Sequence, residues 1–407
     1  MQRKINSNLV LRIFILFLGI SICVRSFYFR IYGSHSIEFA LLFFLVIINI
    51  FLYLFYNKKI KVTVPFLLSI SVLFNFIGVD SISKINLFFY IICISLFFYI
   101  TDRSDIFIML MKIIVIFAIV TATVTWISYF FPSFYINNIS NIFSNDSKSE
   151  VIRYFTVNRH YMGLTNHYSR NAFYIVSALI FLTPSILSRL TKRINIIIYM
   201  YLILTLLLIG KRGHGLFFAL SFCIMILFNE KSRQKRIRSI IKWLFISVIV
   251  FILIIVFIPQ VNTLFIRLTM VSNNVTSGRE GLYQIAFDMF KRSPIIGNGY
   301  GSFAREVNFT FAGVHNDYLQ ILAENGVFGF LIMIGFNLYC YIYSIKAIRI
   351  TNYENNYAKV SFMFQTFILL YSFTGLPRYD YEVMTLYLIM CIWGVEIFRS
   401  NNRRKGN

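Results

Sequence analysis

Apolar residues fill long stretches of this chain, interrupted by short polar breaks, and the pattern has neither the 3.6-residue nor the two-residue alternation of a half-solvated fold. Runs of about 18 or more apolar residues predict helices that cross a bilayer. Spans are expected near 9–24, 36–56, 62–79, 84–100, 105–131, 171–187, 194–210, 213–228, 243–258, 322–345, 358–375 and 382–398. The first lacks a small-residue cleavage site and is followed by further spans, so it reads as a retained helix rather than a signal peptide. The expected fold is all-α: a polytopic integral membrane helical bundle of about twelve transmembrane helices, with residues 1–407 as a single membrane domain.

Two connections depart from the short-loop rule, at 132–170 and 259–321, and long loops in compact proteins usually carry function. In the second, Ser277 and Glu280 have the spacing of a capping box, which predicts a helix over 278–292 ended by Pro294. Leu282, Ile285, Ala286, Met289 and Phe290 share one face of it, as on a helix lying flat on a membrane or on the bundle.

Composition adds confirmation: 58% of residues are hydrophobic and 18% aromatic. The net charge of +23 raises the question of nucleic acid. The basic residues are scattered at helix ends, which suits anionic lipid headgroups instead, and no basic-aromatic soluble domain is present, so nucleic acid is excluded as a partner. Short loops expected inside are the more basic, led by KSRQKRIRSIIK at 231–242, which places both termini in the cytoplasm. The two long loops and all five histidines, His35, His160, His167, His214 and His315, then fall outside. Cys23, Cys93, Cys223, Cys340 and Cys391 all fall in spans, so neither a disulfide framework nor a metal site is expected.

Candidate chemistry gathers in the external segments. GVHNDYLQILAENGVFG at 313–329 sets His315, Asn316 and Asp317 side by side just before a span, where polar groups usually mark a working site. His315 reads either as a general base or as a group that only hydrogen-bonds substrate. Glu324, nine residues on, lies across a continuous helix from it and suits packing or capping. Arg279, at the start of the 278–292 helix, adds a fork of donors to a helix N-terminus, an arrangement suited to phosphate. Lys211 and Arg212 occupy a tight outer turn, as an anion clamp or as cations snorkelling to headgroups. Arg159 is a weaker candidate for the same role, and His167 reads equally as structural or functional. GNGYG at 297–301 lacks the βαβ context of a dinucleotide loop, though a glycine such as Gly299 could bring backbone close to a phosphate or sugar.

Four stretches together resemble the O-antigen ligase/polymerase family (Wzy-like and WaaL-like membrane proteins). They are GLTNHYSRNAFY at 163–174, LIGKRGHGLF at 208–217, SGREGLYQIAFDMFKRSPIIGNGYGSF at 277–303 and VHNDYLQILAENGVFG at 314–329. The GKRxH form is closer to Gram-positive capsule or exopolysaccharide polymerases than to lipopolysaccharide ligases. The resemblance implies a metal-independent glycosyltransferase without cofactor, acting at the outer face of the bacterial cytoplasmic membrane. Its substrates would be undecaprenyl-diphosphate-linked glycans, its surroundings membrane lipids, and its further partners other polysaccharide-assembly proteins. By position, Arg212, Arg279 and His315 match the family's functional residues and are the catalytic candidates; Arg159 and His167 match a more variable part of the pattern and, with Lys211, Asn316 and Gly299, are the substrate-binding candidates. Two alternatives stay open: a ligase passing the glycan to a terminal acceptor, and a repeat-unit flippase. A flippase should show midplane charges and repeated halves, which this sequence lacks.

Overall fold

The computed structural model of the protein describes residues 12–13, 15–20, 22–23, 104–143, 145–157, 159–187, 192–229, 234, 237–238, 279–307, 313–350 and 356–406. The spans expected at 36–56, 62–79, 84–100 and 243–258 lie outside them, as does Ser277. Among the described residues the fold is helical, with no strand.

The principal helices are α1 (Ser104–Phe130), α2 (Asn145–Thr156), α3 (Tyr168–Ile186), α4 (Arg193–Ile209), α5 (Arg212–Asn229), α6 (Glu280–Arg292), α7 (Asp317–Ile350), α8 (Asn356–Tyr371) and α9 (Tyr381–Gly406). Phe107–Phe130, Asp317–Arg349 and Glu382–Ser400 are long and apolar enough to cross a membrane, and Arg193–Ile209 and Arg212–Phe228 are shorter apolar helices. Twelve spans are therefore more than the described helices establish.

Helix α3 is buried nearly all round, from Ala172 to Phe181, as expected of a helix with no polar face. It packs against α1, α4, α5 and α8 at the centre of the bundle. Polar side chains join the helices there. Asn171 Nδ2 donates to Thr125 Oγ1 (2.8 Å), Trp126 Nε1 to Thr205 Oγ1 (3.0 Å) and Tyr387 OH to Asn337 Oδ1 (2.8 Å). Where apolar surroundings offer no competing water, each such bond contributes about 0.6 kcal/mol. Ile194, Ile197, Leu216, Leu331 and Leu338 are exposed on the outside of the bundle, a surface suited to lipid.

At one end of the bundle the loops build their own small cores. Tyr135, Phe143, Val151, Phe155 and Met162 form one, beneath α2. Ala286 and Met289 of α6 pack with Phe303, Val314 and Ala323 in another, which seats the amphipathic helix on the bundle. The structure opens α6 at Glu280 with Arg279 as its cap, in αR geometry and without a side-chain capping bond. Arg279 thus stands one position outside the first turn.

Gly326 breaks α7 with φ 62° and ψ −170°. A Cβ at this position would collide with the carbonyl of Ile295, so the break needs glycine both for its dihedral and for the close approach. On the N-terminal side lies a short amphipathic piece, and on the other the apolar span. The 294–296 turn crosses the break, where the N–H of Val327 donates to Pro294 O (2.8 Å) and that of Phe328 to Ile295 O (3.0 Å).

Candidate functional site

The α4–α5 turn depends on Gly210, whose left-handed geometry (φ 74°) ends α4 and turns the chain directly into α5. Lys211 sits in that turn and extends its ammonium over the Tyr168 ring, 4.9 Å from the centroid. His160 and His167 stack on the same tyrosine at 4.3 and 4.5 Å. Arg279 approaches from the start of α6 and His315 from the turn before α7. The Lys211 and Arg279 charges both act on His315, and they act on each other. Residues far apart in sequence thereby form one cationic cluster at the loop end of the bundle.

The charge states follow from that crowding. Burial and then the Arg279 charge bring Lys211 down from 10.5 to about 8, against the opposing pull of Asp380. Desolvation, then Arg279 and Lys211, lower His315 from 6.5 to about 4. His167 falls to about 3 through burial first, then Arg170, Lys211, His160 and His315. Near neutral pH both imidazoles are uncharged. The site thus offers two cations and a neutral ring at His315, a combination suited to an anion.

The sequence candidates separate into groups. Lys211, Arg279, His315 and His167 are brought together. His167 also caps α3, its Nδ1 accepting the Ser169 N–H at 3.1 Å, which puts its proton on Nε2. Arg212 is exposed on the first turn of α5, next in sequence to Lys211. Arg159 is exposed in a left-handed conformation (φ 50°), and its charge acts on Tyr161. Asn316 Oδ1 accepts the Leu319 N–H (3.1 Å) and so caps α7. Gly299 adopts φ 90°, and its N–H donates to Glu324 O (2.7 Å), so that amide serves the fold. His214 is fully buried, its ring 4.6 Å from that of Tyr371, and neither of its nitrogens has a hydrogen-bond partner among the described residues.

Glu324 is not related to His315 by helix phase, because His315, at φ 57°, lies outside α7, which starts at Asp317. Glu324 is fully buried and pairs with Arg378 at 3.1 Å. Arg378 and Asp380, in PRYDYE at 377–382, escaped the sequence reading. The Asp380 carboxylate accepts from Arg170 Nη2 (3.1 Å) and Nε (3.3 Å), tying the 372–380 loop to α3 beside Lys211. Three charged residues in a short apolar-flanked loop were the available signal. No group of three or more His, Cys, Asp or Glu among the described residues is placed to hold a metal ion.

Residues 197–334 match the family model described as O-antigen ligase. That segment holds Lys211, Arg212, Arg279, Gly299, His315, Asn316 and Glu324, and leaves Arg159, His167 and Arg378 outside. No curated protein matches the chain.

Proposed function

We propose, for a chain that belongs to the O-antigen ligase/polymerase family through residues 197–334, a membrane glycosyltransferase that polymerises undecaprenyl-diphosphate-linked repeat units of a surface polysaccharide. The observation that carries this reading is that the charges of Lys211 and Arg279 both act on His315 and on each other at one end of an apolar helical bundle. A lipid-linked diphosphate needs such a place: its tail belongs in the bilayer and its charge at the surface.

In the reaction, a hydroxyl oxygen at the non-reducing end of one glycan attacks the anomeric carbon of another. The bond from that carbon to the diphosphate oxygen breaks, the electron pair leaves on the lipid diphosphate, and the hydroxyl proton passes to His315 or to water. Negative charge grows on the leaving oxygen, where Arg212, Arg279 and the neighbouring Lys211 stabilise it. Losing one such preorganised donor costs about 2.7–4 kcal/mol, a factor of about 10²–10³ in rate. His315, lowered to about 4 first by burial and then by Arg279 and Lys211, is a weak base. A bound diphosphate offsets the part due to the two cations and so raises its basicity. A single displacement of this kind inverts the anomeric centre. Arg159, His167, Asn316 and Gly299 border the glycan path, and the site faces outward with both termini in the cytoplasm.

The family description favours a second reading, in which the glycan is passed once to a terminal acceptor. Reconstitution in liposomes with a labelled undecaprenyl-diphosphate oligosaccharide tests both. Polymerisation gives a ladder of products, and a ligase gives one addition to an added acceptor. Donor crossing the bilayer with no new glycosidic bond would overturn both in favour of a flippase.

A further inference from the structure

His315 adopts φ 57°, a left-handed conformation uncommon for a residue with a side chain. A closed ring of contacts surrounds it. On its N-terminal side, the Val314 N–H donates to Gln320 Oε1 (3.0 Å). Gln320 Nε2 donates to Glu324 Oε1 (3.2 Å), and Glu324 Oε2 accepts from Arg378 Nη2 (3.1 Å). Arg378 Nε closes the ring 3.8 Å from Asp317 Oδ1, two residues past His315. The backbone reinforces that last step, since the Asp317 N–H donates to Ser372 O (2.8 Å).

Arg378 is the hub of this ring. It is wholly buried, donates from Nη1 to Asn325 Oδ1 (2.5 Å) and from Nη2 to Tyr379 OH (2.9 Å), and lies over the Tyr300 ring at 5.3 Å. Glu324 Oε1 also accepts the Phe303 N–H (3.2 Å), so the 297–303 loop hangs from the same ion pair. A planar fork reaches several acceptors in fixed directions, which a lysine ammonium cannot reproduce.

We propose that Arg378 is a positioning residue for His315: from a loop outside the family-matched segment, it closes the contact ring that fixes the turn carrying the imidazole. Its effect on turnover rests on the glycosyl-transfer reading above, whereas its effect on His315 does not.

The test uses the full-length protein in nanodiscs, with isotope-labelled histidine followed by NMR and the His315 signal assigned by its loss in His315→Gln. In Arg378→Lys the turn relaxes away from Lys211 and Arg279. The His315 titration midpoint then rises by roughly one pH unit or more towards 6.5, while that of His167, set first by its own burial and last by His315, moves much less. Turnover falls by about 10-fold or more with the donor KM within about threefold, the split expected of a misplaced group rather than lost binding. Should Arg378→Lys fail to fold, Glu324→Gln opens the ring one contact earlier and gives the same shift. An unmoved His315 midpoint in a folded variant overturns the proposal whatever happens to turnover. A shifted midpoint in protein that transfers no glycan in any form upholds the positioning and overturns the transferase reading.

Discussion

Lys211 carries its charge in a place where burial and Arg279 oppose it, and this sets the residue-scale behaviour of the site. With the folded value near 8 and the unfolded value at 10.5, the unfolded chain binds more protons between those limits. The contribution of Lys211 to stability therefore rises as pH climbs from 8 to 10.5. Anion binding acts in the opposite sense, because a diphosphate favours the charged ammonium. At pH 8 about half of the Lys211 side chains are neutral, so a short-chain prenyl-diphospho sugar, whose diester does not itself titrate there, should bind with uptake of up to about half a proton. Calorimetry in buffers of different ionisation enthalpy measures this, and Lys211→Arg should abolish it. Zero uptake by the wild-type protein would remove Lys211 from the anion site.

At the scale of elements, the position of Arg279 depends on how α6 is held against α7. Two devices do this: the apolar face of Ala286 and Met289, and the 294–296 turn fitted against the break at Gly326. An alanine at 326 would face both a disfavoured φ of 62° and collision with the Ile295 carbonyl. The dihedral, with ψ at −170°, alone costs about 1–3 kcal/mol, and the collision adds to it. Gly326→Ala should lower the unfolding midpoint and speed hydrogen exchange through Glu280–Arg292 while leaving α3 protected. Equal exchange in the two proteins would mean that the break does not hold α6. Much at this scale was legible in sequence. The face of α6 follows from helical spacing, and the expected 105–131 and 194–210 spans lie within a residue of Ser104–Phe130 and Arg193–Ile209. The break was not, because a glycine inside a helical stretch does not reveal which carbonyl will press against it.

At the scale of the whole molecule, the site is an intersection of loops from separate parts of the chain. Long apolar runs support an all-helical bundle, and the family-like motifs single out Arg212, Arg279 and His315, with Lys211 beside them as a substrate-binding candidate. The burial of two adjacent cations differs with the turn geometry: Gly210 ends α4 so that Lys211 stays half-buried in the turn while Arg212 is exposed at the start of α5. The pairing of Arg170 with Asp380 joins residues 210 positions apart, and that of Arg378 with Glu324 joins residues 54 apart. Such contacts leave no local pattern in the sequence and emerge only from packing. The central claim is that Lys211 and Arg279 act together on one leaving group. A double-substitution cycle on glycan transfer from a lipid-diphosphate donor, using Lys211→Met and Arg279→Met, measures this most directly. Each single change should slow transfer by about 10²–10³-fold, and the double change by far less than their product, a coupling of about 0.5–3 kcal/mol. Strictly multiplicative losses, or wild-type transfer in either single variant, would contradict the account.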